Sequence, residues 1–376
     1  MQYLFVASGS LTLFIIALIL GRKNRSLPNT ILVVWLVVFV LNLVSLFVLY
    51  EATGPFSTAQ HLILEFSEVS IFAHGPLLWL YTKSLTEEGF GLNRKHAYHF
   101  LPFGIGYLVF VIQIFGKMEM VPLLRNSITI LKMGSLLIYL MLVLIKLKRH
   151  QVRVSHIFSN IEEKNLSWIG FLSWGILIIW AIASGSLLLD RLTTIHIPQY
   201  GGLIAHISTC IFIFLMGYFG LNQPSVFTGH QNVVWHPEFH NVPKKEMSGE
   251  QSIKYKHSGL DVKGAKKIQK ELLELMRTAK PYLEKELTLY NLAERLQVQP
   301  NHLSQVINSL EGKNFFDFIN MYRVESAKEK ILQSHYQNLT LLGMAFESGF
   351  NSKASFNRAF KKLTGQTPTE YRKINE

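Results

Sequence analysis

Ionisable side chains gather at two places in the apolar half of this chain. His61, Glu65 and Glu68 are spaced i, i+4, i+7, which puts them within about 60° on one helix face. Such groups are costly in an oily segment and usually face a bundle interior or a wet cavity. His206 and Cys210 are again i, i+4, with His196 and Tyr200 just before them. Two readings follow. His61, Glu65, Glu68, Tyr200 and His206 line a pocket for a small-molecule or membrane signal, or they hydrogen-bond between helices and hold a bundle together. No ligand set converges on a metal, and no GxSxG, HExxH or P-loop is present, so neither a metal, a catalytic residue nor a cofactor is expected. The single cysteine, Cys210, excludes an internal disulfide and a CxxC site. His74 points away from the first face and reads as a satisfied interior histidine. Lys132 is expected to snorkel from a span end.

The elements that must position these groups are long and hydrophobic. The 376 residues are 49% hydrophobic and 16% charged, against about 25% charged in ordinary soluble chains. The net charge of +12 divides evenly, +6 before Asn222 and +6 from there on, but the first part dilutes few charges in apolar stretches and the second carries them densely. A bilayer needs about 20 apolar residues per helix. Seven stretches qualify, at Tyr3–Gly21, Thr30–Tyr50, Gln60–Tyr81, Tyr98–Gly116, Ser127–Ile145, Ser167–Leu189 and Tyr200–Leu221. The first is too long for a signal-peptide h-region and has no basic residue before it, so it reads as a retained helix. Basic residues favour the odd-numbered loops: Arg22, Lys23 and Arg25, then Lys83, Arg94 and Lys95, then Lys146 to Lys164. By the positive-inside tendency the N-terminus lies outside and the C-terminus in the cytoplasm, as a multi-pass protein of the inner membrane.

Residues 222–262 are polar, with Pro224, Pro237 and Pro243, and read as a cytoplasmic linker. From Lys263 the pattern turns to amphipathic helices. Ile268, Leu272, Leu273, Leu275 and Met276 form a stripe, and Lys263, Lys266, Lys267 and Lys270 read as a solvated face. Thr288 caps a short helix through Leu296; QVQP makes a turn; Asn301 to Leu310 forms a second helix. A long helix runs from Phe315 to about Gln333. The arrangement then recurs, with Thr340 to Ser348, a turn at Gly349, and Ala354 to Leu363. Two helix-turn-helix spacings in tandem are hard to obtain by chance.

On these residues the chain resembles a known family. LTLYNLAERLQVQPNHLSQVIN, YRVESAKEKIL and ESGFNSKASFNRAFKKLTGQTPTEYRK make Thr288 to Lys373 similar to the DNA-binding domain of AraC-type transcriptional regulators, in particular a membrane-anchored branch. Gln297 departs from the pattern at a turn where such motifs often carry Gly. The resemblance implies an all-α domain at 263–376 that places two recognition helices in successive major grooves of double-stranded DNA, recurring every ~34 Å. It implies base reading by Asn301, Ser304 and Gln305 on the first helix and by Lys353, Ser355, Asn357 and Arg358 on the second. Lys361 and Lys362 then face phosphates. The overall expectation is all-α: a seven-helix transmembrane domain at 1–221, the linker, and the DNA-binding domain, acting as a one-component regulator in the lipid bilayer. A homodimer through the bundle would raise avidity. The competing expectation is a transporter or membrane enzyme with an autoregulatory DNA-binding appendage.

Overall fold

The computed structural model describes residues 2–23, 26–51, 55–116, 122–162, 164–192, 198–222, 260–333, 336 and 338–375. The expected linker at 222–262 lies almost wholly outside the described residues. What is described is helical, apart from one isolated antiparallel bridge between Phe158 and Thr288. The chain divides into two compact units, residues 1–148 with 166–227, and residues 149–165 with 228–376.

The first unit holds α1 (Gln2–Leu20), α2 (Leu27–Glu51), α3 (Thr58–Thr86), the short α4 (Arg94–Ala97), α5 (Leu101–Gly116), the start of α6 (Pro122–Ile157), α7 (Ser167–Leu192) and α8 (Pro198–Asn222). Four stretches are long and apolar enough to cross a membrane by length and composition: Tyr3–Leu20, Leu27–Ser45, Arg94–Gly116 and Ile130–Ile157. Apolar side chains also cover the outside, among them Phe14, Val34, Leu108, Phe115, Ile138 and Phe171. A helix apolar all round suits a nonpolar surround. Inside, Trp35, Leu36, Phe39, Leu78 and Met216 share one core. Small residues let α8 approach its neighbours: a Cβ at Gly217 would meet Ile15 and one at Gly220 would meet Leu32.

The polar groups of this unit pair between helices. Trp35 Nε1 donates to His74 Nδ1 at 2.9 Å, and His74 Nε2 lies 3.2 Å from Asn42 Nδ2. Lys132 does not snorkel. It is 7% exposed, and its Nζ reaches Glu68 Oε2 at 2.9 Å, a pairing from α6 to α3 that satisfies the ammonium where it is buried. The helix α6 also outruns its expected end at Ile145, continuing through Lys146, Lys148, Arg149 and Arg153 to Ile157, because Lys and Arg are good helix formers.

The second unit contains α9 (Val262–Thr278), α10 (Leu289–Arg295), α11 (Pro300–Leu310), α12 (Phe315–Leu332), α13 (Leu341–Glu347), α14 (Lys353–Thr364) and α15 (Pro368–Asn375). On α9 the buried stripe is Ala265, Ile268, Leu272 and Met276, while Leu273 faces outward and the four lysines are exposed. The long α12 serves two cores. Phe315, Phe318 and Ile319 enter one with Leu292, Leu303 and Val306; Val324, Ala327 and Ile331 enter the other with Phe350, Phe356 and Phe360.

The pairs α10–α11 and α13–α14 are built alike. Thr288 and Thr340 cap the leading helices through their side chains. Each leading helix ends in a Schellman turn: Val298 N–H donates to Ala293 O and Gln297 N–H to Glu294 O, while Phe350 N–H donates to Ala345 O and Gly349 N–H to Phe346 O. The left-handed residue is Gln297 (φ 54°) in one and Gly349 (φ 90°) in the other. Gly349 has no substitute, since a Cβ there would strike Tyr282 O, Leu283 Cα and Arg323 Nε. Gln297 adopts the same region at a conformational cost of about 1 kcal/mol.

Between the two cores sits Arg323, 1% exposed. Its guanidinium donates to Tyr282 O (2.7 Å), Glu284 O (2.7 Å), Ser159 O (3.1 Å) and Ser159 Oγ (3.0 Å). Burial lowers its pKa to about 10 against the opposing pull of Glu286, so it stays charged at neutral pH.

Two outcomes test these features. Gln297→Gly should raise the opening free energy of the α10–α11 amides, read by hydrogen exchange, by about 0.5–1 kcal/mol. Arg323→Ala should lower it by more than about 3 kcal/mol, because several buried carbonyls lose a charged donor together.

Candidate nucleic-acid interface

The surface that could meet a nucleic acid follows from which faces of α11 and α14 the cores consume. On α11 the buried residues are Leu303, Val306 and Ile307, packing against Leu292 and Phe318. The opposite face carries Asn301, Ser304, Gln305 and Asn308 at i, i+3, i+4, i+7. Proline at the first helical position starts α11 after Gln299, and the helix holds no Asp, Glu, Lys or Arg. Asn308 Nδ2 donates to Ser304 O at 2.8 Å and Ser304 Oγ at 3.3 Å. Asn308 was not among the residues singled out from the sequence, although its spacing from Asn301 and Gln305 marks it.

On α14 the buried apolar residues are Phe356, Ala359 and Phe360, which correspond in order to Leu303, Val306 and Ile307. Ala354, Asn357, Arg358 and Lys361 then occupy the places of Asn301, Ser304, Gln305 and Asn308. Asn357, Arg358 and Lys361 are exposed, as is Lys353 at the first turn. Ser352 caps the helix by accepting from Ser355 N–H at 3.1 Å, and Gly365 at φ 78° ends it.

Two expected contacts are placed differently. Ser355 is not on the outer face; it is 8% exposed and turned toward Ile161 and Glu162, because its position one residue before Phe356 rotates it to the flank of the core. Lys362 is exposed but held by Asp317, with Nζ 2.7 Å from Oδ1. The remaining residues present amides and a hydroxyl on α11, and an amide, a guanidinium and ammonium groups on α14. Asn and Gln amides match adenine N6/N7, an Arg fork matches guanine O6/N7, and a lysine serves phosphate without reading sequence.

Of the residues expected to form a pocket in the apolar half, His61, Glu65 and Glu68 have described side chains. His61 and Glu68 are exposed on α3 and Glu65 is half-buried between them. His61 lies against the Phe56 ring at 5.5 Å, and Glu68 is engaged by Lys132. Tyr200 and His206 fall in α8, with side chains outside the described residues.

A feature with no sequence signal is the place of residues 149–165. They belong to the second unit, although they connect two apolar helices. Ser159 N–H and Oγ donate to Leu287 O at 3.2 and 2.7 Å. Asn160 Nδ2, Lys164 Nζ and Asn351 Nδ2 all converge on the Glu286 carboxylate, at 2.9, 2.8 and 2.5 Å. Burial opposes ionisation of Glu286, but these three donors together hold its pKa below the ordinary carboxylate value.

Comparisons with known proteins address this region. Residues 292–374 match the model of a family described as a helix-turn-helix domain. An uncharacterized HTH-type transcriptional regulator of Staphylococcus aureus is 37% identical over 91 residues, 24% of this chain and 12% of that protein. The uncharacterized HTH-type transcriptional regulator YtdP of Bacillus subtilis is 34% identical over 89 residues, 24% of this chain and 11% of its own length. This chain therefore spans about an eighth of the curated relatives it matches. A solved structure described as a protein with unknown function from Listeria innocua is 35% identical, covering 29% of this chain and 97% of that one at a TM-score of 0.25. The matched segment covers both helix pairs from Leu292 on, and supports an AraC-like DNA-binding regulator.

Two substitutions separate the roles of the exposed charges. On duplex DNA, Arg358→Ala should cost about 1–3 kcal/mol and relax the preference at one base pair, whereas Lys361→Ala should weaken all sequences alike and reduce the salt slope by about 1. Selection from a randomised duplex pool, repeated at several salt concentrations, distinguishes them.

Proposed function

We propose that this chain is a membrane-anchored, sequence-specific DNA-binding transcriptional regulator of the AraC type. The observation that carries it is the equivalence of α10–α11 and α13–α14: threonine caps on both leading helices, the same Schellman turns, the same three buried apolar positions, and outward faces of amides and basic groups joined by one helix of 18 residues. In this reading both pairs are helix-turn-helix readers. At about 1.5 Å per residue α12 is a rigid spacer close to 30 Å long, which suits two readers placed one helical repeat apart on the same side of a duplex.

The apolar helices are proposed as seven spans with the N-terminus outside and the second unit in the cytoplasm, the whole acting as a one-component device that couples a membrane or external signal to promoter occupancy. The basic residues of the first, third and fifth loops support that orientation. The pocket residues His61, Glu65, Glu68, Tyr200 and His206 belong to the signal-receiving part. A homodimer is included because a second reader pair would raise avidity on repeated sites.

The test is in cells. Genome-wide occupancy of the full chain should weaken and lose its preference at one base pair of the bound sites in Arg358→Ala, while membrane fractionation is unchanged and reporter fusions at Glu376 report a cytoplasmic end. A reporter active only outside, or specific occupancy unaffected by the substitution, would remove the proposal.

A further inference from the structure

The segment from Arg149 to Asn165 does more than join α6 to α7. Within the second unit it touches both helix pairs. Val154, Ile157 and Phe158 form a small apolar cluster with Ile161 and Tyr290 of α10, and His156 Nδ1 lies 3.4 Å from Asn308 Nδ2 on the outer face of α11. Ser159 is fully buried and shares its carbonyl and hydroxyl with Arg323. Beyond it the chain turns toward α14. There Glu162 Oε2 accepts a hydrogen bond from the hydroxyl of Ser352, the residue that caps α14. Among the described residues, Glu162 Oε1 is buried with no hydrogen-bond partner, and the same is true of both side-chain polar atoms of Asn320, which lines the same cleft. A cleft of about 140 Å³ is lined by Ile161, Glu162, Asn320, Ser355, Arg358 and Lys362.

The N-terminal turn of a recognition helix is the part that enters the major groove and meets backbone phosphate. Here a carboxylate already stands at that turn, on a cleft it shares with Arg358 and the buried Ser355. A negative charge so placed repels the duplex and occupies a donor that phosphate would use. Its other oxygen lacks a partner, so the docked state leaves a polar group unsatisfied, a cost recovered when the loop withdraws.

We propose that residues 160–162 form an acidic latch that competes with DNA for α14, with Glu162 standing in for a backbone phosphate and Lys164, paired to Glu286, holding the loop in its docked position, while Ser159 stays bonded to Arg323. The proposal rests on the DNA-binding reading above. Because the latch is the direct chain connection between α6 and α7, a change at either helix end acts on it with no intermediate element.

The test uses the full chain in nanodiscs and the duplex it selects from a randomised pool. Glu162→Gln should bind that duplex about tenfold more tightly, the loss of one charge-assisted contact in the competing state. Lys164→Ala gives the sharper result. Removing a lysine ordinarily weakens DNA binding, whereas release of the anchor should tighten it by a similar factor. Hydrogen exchange of the 160–162 amides should rise when DNA is added to the wild-type chain. If the wild type binds DNA but neither variant binds more tightly, or if the loop stays protected in the complex, the latch is overturned and the DNA-binding reading stands. If no form binds any duplex, both fall together.

Discussion

A single buried guanidinium organises the second unit. Arg323 cannot leave its charge unsolvated in a dry site, so it draws three carbonyl groups from two separate stretches of chain onto its planar fork: Tyr282 and Glu284 before α10, and Ser159 from far upstream. Each carbonyl would otherwise need its own donor. The same side chain lies over Phe350 and leaves no room for a Cβ at Gly349, which ties the second turn to the first core. A lysine could not do this, having neither the planar geometry nor enough donors in fixed directions. The relative placement of the two helix pairs is therefore set by hydrogen bonding at the middle of α12 as well as by the apolar cores at its ends.

Much of this unit was legible from residue order. Thr288, Thr340, Gly349 and the runs Leu303–Ile307 and Phe356–Phe360 carry strong local signals of capping, turning and helical period, and the helices form where those signals lie. Gln297 was recognisable as an exception, and its left-handed backbone gives the physical content of that exception. Ser355 was misplaced because spacing alone does not tell the flank of an amphipathic helix from its outer face; the 8% exposure depends on what packs beside it. The role of Arg323 and the membership of residues 149–165 were not legible, since both depend on contacts between segments more than a hundred residues apart. Periodicity carries no information at that range.

The apolar half shows the same division. The hydrophobic stretches are evident in composition, and the helices follow them. What composition does not disclose is pairing. Lys132 reads as a cation at a span end until Glu68 is found opposite it, and α6 reads as ending at its basic run when the run in fact continues the helix. Charged residues in such a setting mark polarity along the sequence, but their partners are chosen by packing.

The unequal chemistry of the two outward faces has a kinetic consequence. Coulombic attraction reaches across roughly a Debye length, about 8 Å at physiological salt, whereas amide and hydroxyl recognition acts only on contact. With Lys353, Arg358 and Lys361 exposed on α14 and no Lys or Arg on α11, attraction at range near the outward faces comes from α14, joined by the four exposed lysines of α9, whereas α11 can act only on contact. Reach thus belongs to the cationic side chains, and discrimination at contact to the uncharged amides of α11.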